Sequence, residues 1–346
     1  MLYSKVYIDA FGYELAPNVV TSDDLEKRLE PLYEALHFQK GQLEALTGIR
    51  ERRFWNPGYK MYEGAVKAGK KAIENSGIAP ESIGMLIYGG VCRDNLEPAT
   101  ACSVAHGLGL GSDTQVYDVS NACLGILNGM VQIANAIELG HMKAGVVVSC
   151  ESARQIVDIT IDRLLAAKDM EMFKKTVATL TGGSGAVAVV LTDKLLSDKG
   201  HRLLGGVIRS ASEHYKLCRW GPNTGIPSNS PQIMETDSVG VLQNGVKLGI
   251  ETFNAFRNEL SWPNNKPDKI ICHQVGATHQ NTILESIGID KKKDFTTFKY
   301  LGNIGTVSLP ITAAIASERE FLAKNDLVGF LGIGSGLNCL MLGIKW

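Results

Sequence analysis

No stretch of this 346-residue chain is apolar for long enough to cross a bilayer. The runs at 144–149 and 329–334 both break far short of the ~18–20 residues that a membrane helix needs. A secretory leader is also missing from the reading. The opening Met1-Leu2-Tyr3-Ser4-Lys5-Val6-Tyr7-Ile8 has no basic head, apolar stretch and small-residue cleavage site; it reads as a strand, so a cytoplasmic protein is expected. Neither sign of charge is in excess, with 35 Lys and Arg against 36 Asp and Glu, which disfavours a general nucleic-acid binder. The seven cysteines (92, 102, 123, 150, 218, 272, 339) are odd in number and form no C-x-x-C pair, so neither a disulfide framework nor a zinc site is indicated. His106 and His279 are not at metal-ligand spacing, and no metal is expected.

What is present is an ordinary globular composition, 45% hydrophobic and 21% charged, at a length that suits two domains or one domain made of two similar halves. Short β-branched runs at 85–88, 115–119, 145–149, 186–192, 269–273 and 328–333 alternate with helix-like segments, the order of an α/β fold with buried strands. Residues 124–139 are small or apolar nearly all round, which predicts a helix enclosed by protein. Two intervals then repeat. Leu86 to Asn121 spans 35 residues and Ile270 to Asn303 spans 33, while Val146 follows Asn121 and Val328 follows Asn303 by 25 in each case. The chain therefore reads as a duplicated β-α-β-α-β unit, divided at 184/185, with a helical lid or solvated connection inserted near 154–181 and a surface loop at 220–231.

Cys123 stands between a strand ending at Val119 and the predicted core helix. There, unpaired N–H groups and the helix dipole lower a thiol pKa toward the thiolate, the state of a nucleophile; a small packing residue in a tight turn is the alternative. His273 ends a strand, and Asn303 opens the helix matching the one after Cys123. In a duplicated fold the three can converge, the imidazole pairing with the thiolate or donating to a carbonyl oxygen and the amide donating to the same oxygen. A core histidine and a helix-capping asparagine are the plainer readings. Gly332-Ile333-Gly334-Ser335-Gly336 is followed by strand-like residues, so it predicts a tight hairpin, not a dinucleotide loop; Gly182-Gly183-Ser184-Gly185 likewise precedes a strand and is no P-loop.

The segment Asp118-Val119-Ser120-Asn121-Ala122-Cys123-Leu124-Gly125, with His273-Gln274-Val275, Gly302-Asn303-Ile304-Gly305, Gly332–Asn338 and Thr47-Gly48-Ile49-Arg50-Glu51-Arg52, resembles the ketosynthase III branch of the thiolase superfamily, which includes 3-oxoacyl-ACP synthase III. The resemblance spans essentially the whole chain and is greatest to members that join two long fatty-acyl-CoA chains head to head. It implies a five-layered αβαβα fold, a homodimer, and a ping-pong acyltransferase that needs no cofactor beyond its acyl-CoA or acyl-ACP substrates. Carried onto matching positions, Cys123 takes the acyl group, the N–H groups of Cys123 and Ser335 form its oxyanion hole, and His273 and Asn303 stabilise the enolate of the second thioester. Glu97, before Pro98, replaces the aromatic residue that closes a small acyl pocket in the acetyl-CoA-using member. A carboxylate reaching the partner subunit's site there implies α-proton abstraction in place of malonate decarboxylation. A surface or helix-start carboxylate is the alternative for Glu97. Gln42 stands where that member has a CoA-stacking tryptophan, so the CoA-binding residues are not carried over, and Arg50 serves structure as readily as ligand. A malonyl-dependent ketosynthase and, more remotely, a non-catalytic acyl-binding subunit are the competing functions.

Overall fold

The computed structural model describes residues 1–197, 200–222, 226 and 228–346. Its strands are β1 (Val6–Leu15), β2 (Asn18–Thr21), β3 (Glu51–Phe54), β4 (Met85–Gly89), β5 (Gln115–Val119), β6 (Ala144–Glu151), β7 (Gly185–Asp193), β8 (His201–Ser210), β9 (Cys218–Pro222), β10 (Gln232–Thr236), β11 (Lys269–Cys272), β12 (Leu327–Gly334) and β13 (Asn338–Lys345). Its helices are α1 (Ser22–Arg28), α2 (Glu30–Leu36), α3 (Gln42–Thr47), α4 (Met61–Ser76), α5 (Thr100–Leu108), α6 (Gly125–Glu138), α7 (Arg154–Ala167), α8 (Met170–Thr176), α9 (Ser238–Glu259), α10 (Ala277–Ile287), α11 (Phe298–Leu301) and α12 (Ser308–Glu318). The six strands expected from β-branched runs all form, with ends within two residues of the reading; β4, β6 and β7 are buried throughout, where an unbroken apolar run is the signal, while β5 is partly exposed at the sheet edge.

The duplication is visible in the strand order. One half runs β5-β4-β6-β7-β1 and the other β11-β12-β13-β8, with matching directions: β7 and β13 are each antiparallel to both neighbours, while β5-β4-β6 and β11-β12 pair in parallel. The counterpart of β5 is reduced to a single parallel bridge between Ile270 and Asp294. The halves join where Tyr7 pairs with Arg202 and Ile8 with His201, giving one nine-stranded sheet. The expected division at 184/185 places β7 in the second half, whereas β7 pairs along its length with β6 and β1, so the hydrogen bonding groups it with the first.

The five layers follow from which face of each strand is covered. Alternate residues of both halves, such as Ile87, Val189, Phe330 and Leu342, pack with α6 and α12 into one central cluster. The opposite face of the first half packs on α4 and α5, and that of the second on α9 and α10. The helix expected at 124–139 is the buried α6. Within the 154–181 insertion, α7 and α8 bury Val157, Ile161, Leu164 and Phe173 against Leu25, Leu29, Leu32 and Leu43 of α1–α3, so the segment is a packed helical layer over the first half. Of the loop expected at 220–231, residues 220–222 belong to β9, while Asn223, Thr224, Gly225 and Pro227 lie outside the described residues. No helix of the described residues is long and apolar enough to cross a membrane.

Candidate active site

Two turns that open the central helices α6 and α12 meet at the centre of the molecule. In the first half a 3-10 turn over Ala122–Leu124 leads into α6; in the second, one over Gly305–Val307 leads into α12. The first residue of each has positive φ, 45° at Ala122 and 60° at Gly305, a conformation that glycine adopts freely and alanine only under strain. This matching shifts the repeat by one residue from the reading by intervals: Cys123 corresponds to Thr306, and Asn303 corresponds to Ser120, not Asn121. Intervals counted along a sequence cannot register a single-residue difference in the connecting segments; backbone geometry can.

Cys123, Asn303 and Ser335 line one cavity of about 310 Å³, together with Glu151, Ser152 and the backbone of Gly182–Gly183. The glycine string acts by close approach. A Cβ on Gly332 would lie 2.5 Å from Leu127 and one on Gly334 would lie 3.3 Å from the Cys123 nitrogen, so bare backbone is what lets β12 pass beneath the start of α6. The chain then turns into β13, the hairpin expected from the sequence. Asn338 braces that turn, its amide N–H₂ donating to the Ser335 carbonyl at 3.3 Å and to Asn121 Oδ1 at 3.2 Å.

Asn303 is held from both sides. Its N–H donates to Thr181 O and its carbonyl accepts from Gly183 N–H, each at 2.9 Å, while its side-chain Oδ1 accepts from Gly305 N–H at 3.1 Å, leaving the amide N–H₂ as the free donor. The Gly182–Gly185 run, rightly no phosphate loop, is thus the support of Asn303. Arg52 of the Thr-Gly-Ile-Arg segment is fully buried beneath this support, donating to Leu180 O at 3.2 Å and Ser22 Oγ at 3.1 Å; burial lowers its guanidinium to about 10, still charged at neutral pH. Arg50 is exposed.

His273 closes β11, its N–H donating to Leu331 O of β12 at 3.0 Å, on the strand that carries Gly334 toward Cys123; it does not line the cavity itself. Burial, with the neighbouring His279, lowers its imidazole to about 4. The Cys123 thiol is pushed up to about 12 by burial first, and then by the nearby Cys218 and Glu151. This corrects the expected thiolate. The helix N-terminus does favour the anion, but desolvation outweighs it, and Thr306 Oγ1 already accepts from the Ile126 N–H at 2.7 Å, occupying a donor at the end of α6. Burial thus disfavours the charged form of both the thiol and the imidazole.

Glu97 is exposed and lines no part of its own chain's cavity. Its loop is pegged at both ends: Asp94 accepts from the Met61 and Tyr62 N–H groups at the start of α4, and Asp118 from Thr100 and Ala101 at the start of α5. Leu96, 68% exposed, and Glu97 stand at the outer part. Sequence reasoning missed Glu151, though a signal existed: a carboxylate at the carboxyl end of a largely apolar strand, where open α/β sheets bind ligands. It also left Cys218 and Trp220 without a role, and both line the cavity. Thr306 had no sequence signal.

The thiolase N-terminal domain family matches residues 61–192, and the C-terminal family of 3-oxoacyl-[acyl-carrier-protein] synthase III matches 258–346. Over its full length the chain is 52% identical to an acyl-CoA:acyl-CoA alkyltransferase of Shewanella oneidensis and 37% to one of Xanthomonas campestris, each relative being covered completely. The chain belongs to the acyl-CoA:acyl-CoA alkyltransferase family. A solved structure of the Xanthomonas campestris family member OleA with cerulenin bound superposes with a TM-score of 0.94 at 37% identity, covering all of this chain and 98% of the other; another, at 0.93 and 36% and covering both chains completely, holds lauric acid and lauroyl-CoA. A β-ketoacyl-[acyl-carrier-protein] synthase III of Natranaerobius thermophilus is more distant, 25% identical over 99% of this chain and all of the relative. Like the rest of the alkyltransferase family, the chain is a thiolase-fold, acyl-transferring condensing enzyme.

Proposed function

We propose that the protein joins two fatty-acyl-CoA molecules head to head, as a cytoplasmic homodimer. The observation that carries this reading is the meeting of Cys123, Asn303 and the Gly334–Ser335 backbone on one cavity, in a chain whose full length matches enzymes named for that reaction. Cys123 attacks the first thioester carbonyl, its S–H proton leaves through His273, and CoA departs as the thiol. The N–H groups of Cys123 and Ser335 receive the oxyanion, each such donor contributing ~3–4 kcal/mol to transition-state stabilisation. The partner subunit's Glu97 then takes the α-proton of the second acyl-CoA, and His273 and the free Asn303 N–H₂ receive the enolate oxygen. The carbanion attacks the acyl-Cys carbonyl; a C–C bond forms, the C–S bond to Cys123 breaks, and Glu97 returns its proton to the thiolate. Two thioesters give one β-ketoacyl-CoA and one CoA, with no change of oxidation state overall, so the chemistry calls for no redox cofactor.

The dimer reading is supported by β5, an outer strand with an open edge next to the exposed Leu96–Glu97 loop, since an unpaired edge favours pairing with a second copy. Seven free cysteines suit a reducing compartment.

The test is incubation with lauroyl-CoA alone, following CoA release and analysing products by mass spectrometry. A β-ketoacyl-CoA is the expected result, or the β-keto acid and ketone that its hydrolysis by water, with release of the second CoA, and then loss of CO₂ would leave. Acyl-enzyme that turns over only when malonyl-acyl-carrier protein is added, with release of CO₂, gives the malonyl-dependent reading instead. In Glu97→Ala, acyl-Cys123 is expected to accumulate while condensation falls about 10²- to 10⁴-fold, the contribution of a general base.

A further inference from the structure

β6 is buried throughout, yet it ends in Glu151, whose side chain is only 4% exposed. Two backbone N–H groups point at its carboxylate, Val91 to Oε1 at 2.9 Å and Cys92 to Oε2 at 3.3 Å. Arg93, whose charge reaches this carboxylate, is bridged to Asp118 instead, at 3.7 Å. Among the described residues the Cys92 thiol is the one side-chain donor that joins these two N–H groups, and a carboxylate with low exposure and no cation bridged to it is costly to maintain, so its place calls for a reason.

Three connections converge on it. Glu151 lines the Cys123 cavity. Its Cγ lies 3.4 Å from where a Cβ on Gly305 would stand, so it packs on the turn whose N–H fixes the Asn303 amide. Val91 and Cys92 are the root of the loop that ends in Glu97. Further pegs hold the same root to the end of β6, the Tyr88 hydroxyl lying 2.6 Å from Cys92 O and 2.8 Å from Cys150 O, but Tyr88 does not line the cavity and Glu151 does.

We propose that Glu151 is a positioning residue that acts across the dimer: by fixing the root of the 91–99 loop, it sets where Glu97 stands in the partner subunit's site. The inference rests on the condensing homodimer proposed above. Each cavity thereby has, in its own wall, the anchor of the base that serves the other cavity, and the two sites are mechanically linked through one side chain.

Glu151→Gln offers one carbonyl oxygen and one N–H₂ to two N–H donors, so one of the pair loses its acceptor. With lauroyl-CoA, acylation of Cys123 is expected to stay within about threefold of wild type while condensation falls about 10- to 100-fold, and Glu151→Asp, with both oxygens on a shorter arm, recovers part of the loss. Mixed dimers decide the direction. When an otherwise intact chain is paired with one carrying Cys123→Ser and Glu151→Gln, the only competent thiol is served by the altered loop, and the full loss is expected. When a Glu151→Gln chain is paired with a Cys123→Ser chain, the competent thiol is served by an intact loop, and activity per thiol should match that of an intact chain paired with Cys123→Ser. A loss that follows the thiol-bearing chain overturns the proposal, as does a parallel fall in acylation, condensation and Tm. Wild-type protein that makes no condensed product from lauroyl-CoA alone removes the functional reading itself, before Glu151 is altered.

Discussion

The two turns that open α6 and α12 share a backbone and divide a chemistry. At Ala122-Cys123-Leu124 the turn presents a thiol to the cavity; at Gly305-Thr306-Val307 the corresponding hydroxyl is engaged, accepting the Ile126 N–H at 2.7 Å and so capping the helix behind the thiol. Duplication supplies two equivalent helix N-termini, and one is free to become a nucleophile site because its twin takes over part of the structural work. The strained conformation sits on an alanine in the reactive turn and on a glycine in the supporting one. Backbone strain held at a reactive turn is where pre-organisation is expected.

The sharpest way to break this asymmetry is Cys123→Ala. Covalent acylation and condensation should vanish, a loss of about 10⁴-fold or more, whereas Thr306→Val should leave an acylatable thiol; intact mass after lauroyl-CoA treatment reads both.

Next in size is the state of the thiol. With its pKa near 12, against ~8.5 for a free cysteine, Cys123 carries about 10³-fold less thiolate at pH 7 than an unperturbed residue, and its alkylation by iodoacetamide should rise about tenfold per pH unit through pH 10. The measurement is made in a Cys102→Ser background, since Cys102 is exposed. An inflection between pH 6 and 8 contradicts the neutral resting thiol.

Asn303→Ala, on the supporting side, removes a donor to the enolate and should lower condensation about 10²- to 10³-fold while leaving acylation of Cys123 nearly unchanged. Equal loss of both steps shows instead that Asn303 serves only the shape of the cavity.

The smallest effects are on stability. Thr306→Val leaves the Ile126 N–H without its acceptor and should cost about 1–2 kcal/mol, and Gly305→Ala, at φ 60° and against Glu151, about 1 kcal/mol; denaturant unfolding measures both. Ala122→Gly relieves the strain and should be near neutral in stability. If it is also neutral in activity, the strain at that turn has no catalytic use.

The strands at 85–88, 145–149 and 186–192 could be read directly because runs buried on both faces need no partner to be recognised, and α6 could be read because every turn of it is apolar. Cys123, Asn303 and the glycine hairpin were legible through position, each at a strand-to-helix or strand-to-strand turn. Glu151 was overlooked beside the more conspicuous Glu97, and Thr306 was invisible because its partner, Ile126, is 180 residues away.

By itself the sequence determined the α/β order, the duplication and the turn that carries Cys123, since these depend on local periodicity and on which residue types tolerate a given backbone. Only the tertiary structure decided the burial that raises the Cys123 thiol, the one-residue register between the halves, and the place of Glu151. Desolvation and hydrogen bonding depend on what surrounds a group in three dimensions, and here the surroundings of Cys123 come from both halves of the chain.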